Sequence, residues 1–111
     1  MPYQSGFRDG LFSGSTVFIP GGGGGLGRCI AHEVAALGGK VVLAGRTLEK
    51  LDRTRVEIEQ DGGVVLGCYT VELRDESQVQ SLVARVLDAH GLVHGLVNTA
   101  GGQFPAALED L

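Results

Sequence analysis

The chain has 111 residues, a formal net charge of −4 and 19 glycines, a glycine share far above the average of roughly 7%, and its length allows one small domain with one core. The acidic balance, with a sequence pI near 5.2, argues against nucleic acid or an anionic membrane as the main partner, since both select for basic patches. Residues 1–12 hold no apolar signal-like run and no stretch approaches the roughly 20 apolar residues of a membrane span, so the expected location is cytoplasmic.

Short apolar runs alternate with amphipathic stretches, the pattern of a parallel α/β sheet covered by helices on both faces. Strand one is expected over residues 17–19 and leads through Pro20 into Gly21, Gly22, Gly23, Gly24 and Gly25. Helix one follows over residues 26–37, with Leu26, Cys29, Ile30, Val34 and Leu37 on one stripe, and Gly38 and Gly39 stop it. Strand two covers residues 41–44; helix two begins after the N-cap candidate Thr47 and packs through Leu48, Leu51 and Ile58 before Gly62 and Gly63. Strand three covers residues 64–69. Helix three opens on Asp75 as N-cap, with Gln78 completing a capping-box variant, and keeps its apolar period through Val79, Leu82, Val83, Val86 and Leu87 until Gly91. Strand four covers residues 96–98. The right-handed crossover rule builds from this string the first half of a Rossmann-type, doubly wound parallel sheet, in the order 3-2-1-4. Strand four is then an open edge, available for self-association or for pairing with another polypeptide.

The glycine run sits between a buried strand and a helix start, which is where such a sheet receives the pyrophosphate of a dinucleotide. The backbone must approach two phosphates closely, so Cβ atoms are excluded, and the following helix offers its unpaired N–H groups to the anion. Spacing alone fits several motifs: Gly22, Gly24 and Gly27 satisfy G-x-G-x-x-G, while Gly21, Gly25 and Gly27 satisfy G-x-x-x-G-x-G. A P-loop needs Lys and then Ser or Thr after its last glycine, where this chain has Arg28 and Cys29. A flexible linker joins domains, whereas this segment joins a strand to a helix.

The end of strand two bears on the choice of cofactor. An NAD site places Asp or Glu there to bind the ribose 2′-OH. Here the residues are Ala44, Gly45, Arg46 and Thr47; Arg46 offers a planar fork of donors to a 2′-phosphate, so NADP is favoured over NAD. Cys29 and Cys68 form no CxxC pair and read as buried reduced thiols. His32, His90 and His94 lack partners at metal-ligand spacing and read as solvent-facing or cap residues.

Pro20 and Gly21, then Gly25, Leu26 and Gly27, and later Asn98, Thr99, Ala100 and Gly101 together resemble the fingerprints of the short-chain dehydrogenase/reductase family. The resemblance implies that Gly21, Gly25, Leu26 and Gly27 line the pyrophosphate and that Arg46 reads the adenosine ribose phosphate. It further implies that Glu72 and Leu73 contact the adenine, and that Asn98, Ala100 and Gly101 lie under the ribose units. The segment from Asn98 through Gln103 and Phe104 is similar to one in enoyl-CoA and dienoyl-CoA reductases of that family, which points to a fatty-acyl or isoprenoid CoA thioester. Pro20, Thr99 and Glu72 depart from the family's Thr, Asn and Asp, which predicts a loosened cofactor site. The family's catalytic Tyr-x-x-x-Lys pair is missing: Phe7 and Leu73 stand four residues after Tyr3 and Tyr69. The resemblance therefore implies a partial NADP-binding domain, truncated before the catalytic Ser/Tyr/Lys region and inactive alone. The alternatives are a non-catalytic nucleotide-binding or interaction module, and the product of a truncated gene without function.

Overall fold

In the computed structural model, which describes residues 6–99, the chain runs β1 (Thr16–Pro20), α1 (Gly25–Ala36), β2 (Lys40–Gly45), α2 (Leu48–Gln60), β3 (Val64–Thr70), α3 (Glu76–His90) and β4 (Gly95–Leu96). The four strands are parallel and pair in the order β3-β2-β1-β4, the expected Rossmann-type order. Among the described residues, no helix is long and apolar enough to cross a membrane.

Successive strand residues leave by opposite faces, so β1 and β2 each serve two cores. Val17, Ile19, Val41 and Leu43 meet Ala31, Val34 and Ala35 of α1 and Leu51 and Ile58 of α2. Phe18, Val42 and Ala44 meet Leu82 and Val86 of α3 on the other face. The switch of face follows from topology. After β3 the chain returns past β2 and β1 to add β4, and a right-handed crossover in that reversed direction puts its helix on the opposite side. The reversal opens a crevice at the carboxyl ends of β1 and β4.

One register shift aims the side chains of β3. Val41 pairs with Val65 but Val42 pairs with Gly67, leaving Leu66 as a bulge. Without that extra residue Cys68 and Tyr69 would exchange faces. With it, Cys68 packs on the α1 and α2 side, where burial pushes its thiol pKa up, and Tyr69 packs on the α3 side. There the Tyr69 hydroxyl and His90 Nε2 hydrogen-bond at 2.6 Å, and the Arg85 guanidinium sits 5.2 Å from the ring centroid.

Several local expectations are corrected. α1 buries Gly27, Ala31, Val34 and Ala35, with Leu37 just beyond it, whereas Leu26 is 69% exposed and Cys29 is exposed. Val34 and Leu37 of the expected stripe are buried, and Ile30 packs against the same core. Of the α3 stripe, Leu82 and Val86 are buried, while Val83, Leu87 and Leu96 of β4 remain exposed. β4 is shorter than expected, although the Val97 and Thr99 N–H groups still donate to the Phe18 and Pro20 carbonyls at 2.9 and 3.1 Å. Asp75 caps α3 by accepting from the Ser77 and Gln78 N–H groups. The Gln78 carbonyl oxygen accepts from Glu72 N–H at 2.9 Å instead of closing back on Asp75 N–H.

The histidines are also better partnered than their spacing implies. His32 is 15% exposed, with Nε2 at 3.3 Å from Glu57 Oε1. His94 is exposed, yet its Nδ1 accepts from Thr16 N–H at 3.0 Å while its own N–H donates to the Thr16 carbonyl at 2.8 Å. Glu57 is the hub between α1 and α2, accepting from Arg28 Nε at 2.7 Å and again from Arg28 Nη2.

The Arg28 hydrogen bonds hold the Glu57 carboxyl down at about 2, against an ordinary 4.5, with His32 adding to the effect. A folded-state value below the unfolded one stabilises the protein above about pH 4.5, and that contribution is lost as pH falls towards 2. Glu57→Gln is expected to lower the unfolding free energy by about 1 kcal/mol at pH 7, a figure kept small because water screens a partly exposed pair. Urea titrations of both proteins at neutral and acid pH check this. A difference that stays the same at pH 2 counts against the ion pair as its source.

Candidate functional site

The turn from β1 into α1 is built at two glycines. Gly21 has φ 88°, in the left-handed region. Gly27 is buried in the first turn of α1, where a Cβ would run into the Gly21 carbonyl and lie 2.5 Å from Thr99 Oγ1. No side chain fits there, so backbone meets backbone. Gly24 is the N-cap of α1 and makes no side-chain cap, and the first turn carries no acidic residue. The helix thus leaves its N-terminal N–H groups and positive dipole end to an incoming anion.

In front of this turn lies a cleft of ≈ 820 Å³ formed by the loops at the carboxyl ends of all four strands. Of the residues singled out in the sequence, Gly21, Arg46, Glu72, Leu73 and Asn98 line it. Gly25, Leu26 and Gly27 stand beside it in the first turn of α1 and are not among its walls. Ala100 and Gly101 lie outside the described residues. Sequence reasoning missed Thr47, Lys50, Arg74 and Thr99 as wall residues. Lys50 carried a readable signal: it stands in the first turn of α2, directly after the Arg46 loop.

The charges are arranged unevenly. Arg46 is exposed and makes no hydrogen bond or ion pair with any described residue. Glu72 accepts from Arg74 Nε and from Arg74 N–H, both at 3.2 Å. Arg74 thereby holds the Glu72 carboxyl below the usual range, and the charge of Arg46 adds to this. Arg28 follows Gly27 directly, yet its guanidinium is committed to Glu57, so the position of a P-loop lysine is not used towards the cleft. Among the described residues there is no cluster of side chains able to hold a metal ion.

Two of the three altered fingerprint positions, Pro20 and Thr99, meet in space. The Pro20 carbonyl points to β4 and accepts from both Thr99 N–H at 3.1 Å and Thr99 Oγ1 at 2.9 Å. The rung lost with the missing Pro20 N–H is therefore a β1–β4 rung, while Gly21 N–H still donates to Ala44 on the β2 side at 2.7 Å. The threonine hydroxyl adds a bond on the side where proline removes one.

This crevice, on this strand order, defines the class of protein. The family model described as short chain dehydrogenase matches residues 15–111, and the chain belongs to that family. It is 34% identical to a probable 2,4-dienoyl-CoA reductase of Bacillus subtilis over 86% of this chain and 37% of that protein. Among solved structures, a citronellol catabolism dehydrogenase of Pseudomonas aeruginosa superposes with TM-score 0.86 at 50% identity, over 96% of this chain and 43% of the other. A metagenomic short-chain oxidoreductase in complex with NADP superposes with TM-score 0.79 at 34% identity, over 90% of this chain and 45% of the other. The chain thus spans less than half the length of each of these relatives.

Two substitutions probe the turn. Gly27→Ala is expected to destabilise the fold by about 1–3 kcal/mol, because the clash is with backbone that cannot step aside. Thr99→Val is expected to lose about 1 kcal/mol with the hydroxyl bond to Pro20. Chemical denaturation of each variant checks both values, and a Gly27→Ala protein as stable as the parent contradicts the close approach.

Proposed function

We propose that this chain is the NADP(H)-binding portion of a short-chain dehydrogenase. The observation that carries the reading is Arg46, a guanidinium without an ion-pair partner among the described residues, at the end of β2 and on the wall of the cleft. No carboxylate stands at that strand end to take a ribose 2′-OH, and the bidentate donors of Arg46 suit a 2′-phosphate. The cradle at Gly27, which any Cβ would fill, suits a pyrophosphate laid against the N-terminus of α1.

In this reading Gly21, Gly25, Leu26 and Gly27 hold the pyrophosphate, Leu26 through its backbone since its side chain faces solvent. Glu72 and Leu73 flank the adenine, and Asn98, Ala100 and Gly101 support the ribose units. The nicotinamide cofactor supplies a hydride to or from a carbonyl, an alcohol or an activated double bond. The residues of this chain bind and orient it. The segment from Asn98 to Phe104, with the names of the Bacillus and Pseudomonas relatives, supports a fatty-acyl or isoprenoid substrate, CoA-linked in the former case. A cytoplasmic location fits the two free cysteines.

The 111 residues contain no Tyr-x-x-x-Lys pair, so binding without turnover is expected of this chain alone. Steady-state assays with NADPH and small carbonyl or enoyl-CoA substrates address the point, and turnover well above blank contradicts it.

Cofactor choice is tested by fluorescence titration with NADPH and NADH. NADPH is expected to bind about tenfold or more tightly, and Arg46→Ala to remove most of that margin, as the loss of a charge-assisted hydrogen bond implies. Equal affinity for the two cofactors in the parent chain removes the assignment to NADP.

A further inference from the structure

An anionic residue beside a phosphate site needs explaining. The Val71 N–H donates to the Gly45 carbonyl at 2.9 Å, carrying the β2–β3 ladder one residue beyond the end of β3. That bond brings the loops bearing Arg46 and Glu72 side by side on one cleft wall. An uncompensated Glu72 carboxylate there would repel a 2′-phosphate and undo part of what Arg46 offers. Arg74 meets it from the same loop, with Nε and Nη2 at 3.2 and 3.5 Å from the two carboxylate oxygens.

We infer that Arg74 neutralises Glu72 at the adenosine end of the cleft, and that the Glu72–Arg74 pair is a second determinant of cofactor choice beside Arg46. The inference rests on the proposed NADP site and adds residues to it. Three cationic side chains, Arg46, Lys50 and Arg74, and one anionic side chain, Glu72, line the cleft. Their balance of two positive charges matches the roughly −1.5 to −2 charge of a phosphate monoester at neutral pH. Removal of Arg74 halves that balance and uncovers the carboxylate. The pair is not needed for the fold: Arg74 is 82% exposed and Glu72 35% exposed, and such surface pairs add little stability. Its placement makes it matter for an anion that binds next to it. The Glu72 carboxylate also turns back to accept from the backbone N–H of Arg74, which holds it on that loop.

The test is a double-mutant cycle on the 111-residue chain, read as dissociation constants for NADPH and NADH, with thermal melts to confirm folding. Arg74→Ala is expected to weaken NADPH by about fivefold and to leave NADH within about twofold. Glu72→Gln alone is expected to shift both cofactors together through the adenine it flanks, leaving the ratio of their dissociation constants at the parental value or slightly more in favour of NADPH. The double variant, Arg74→Ala with Glu72→Gln, is expected to recover the NADPH-to-NADH ratio of Glu72→Gln, an outcome that loss of a structural contact would not give. Equal loss for both cofactors, or no loss, overturns the inference. So does a selective loss that Glu72→Gln fails to restore, since Arg74 would then be a direct phosphate ligand. Failure of the underlying site has a different signature, because the parent chain and Arg46→Ala would then show no preference for NADPH at all.

Discussion

The arrangement at the carboxyl end of the sheet depends on how closely the first turn of α1 presses against the end of β1. Gly27 sits with its Cα against the Gly21 carbonyl and the Thr99 hydroxyl, a space that admits no side chain. That contact fixes the helix axis and therefore the direction in which its unpaired N–H groups point. Ordering a run of glycines opposes folding by roughly 0.5–1 kcal/mol per residue relative to alanine. The buried side chains beneath the loop, Ile19, Leu43 and Leu51, supply the compensating apolar burial. The loop is held by the core under it, and its own contacts are few.

Position within this frame decides what each charged residue does. Arg28 and Arg46 both follow glycines near the cleft, yet only one is available to it. Arg28 emerges from α1 on the side facing α2, where Glu57 takes its guanidinium and His32 packs alongside. Arg46 emerges at the end of β2, where the Glu72 carboxylate on the same cleft wall is already engaged by Arg74. Glu57 and Glu72 thus play opposite parts. The first withdraws an arginine from the cleft, and the second is itself occupied so that an arginine stays available.

The fold was legible because its signals are local. Apolar runs broken by glycines set the elements, and the crossover rule together with the Rossmann reading of the glycine run ordered the strands. Gly21 and Arg46 could be placed at strand ends from the sequence because strand ends are sequence-local features, whereas Glu72, Leu73 and Asn98 were placed by the family resemblance. What escaped depends on contacts between distant segments. The partners of His32, His90 and His94 lie on other elements, at sequence separations of 25, 21 and 78. The apolar stripe of α1 held at Ile30, Val34 and Leu37 and failed at Leu26 and Cys29, which stand exposed. The bulge at Leu66 has no sequence mark beyond the neighbouring glycine, yet it sets the faces of Cys68 and Tyr69. Arg74 became part of the cleft only once side-chain direction was known.

The departures at Pro20 and Thr99 show why such residues are better judged as pairs. Taken singly, proline removes a donor from β1 and threonine replaces an amide side chain, and each reads as a loss. In the fold, β4 is held to β1 through the carbonyls of Thr16, Phe18 and Pro20. The ladder between those two strands is only two residue pairs long. A short edge strand of this kind depends on side chains at its ends. His94 supplies one by accepting the Thr16 N–H, and Thr99 supplies the other by donating its hydroxyl to Pro20. The second of these clamps is also the residue against which Gly27 is packed. The same hydroxyl therefore secures the edge strand and shapes the close approach of α1, which ties the position of Asn98 to the geometry of the glycine turn.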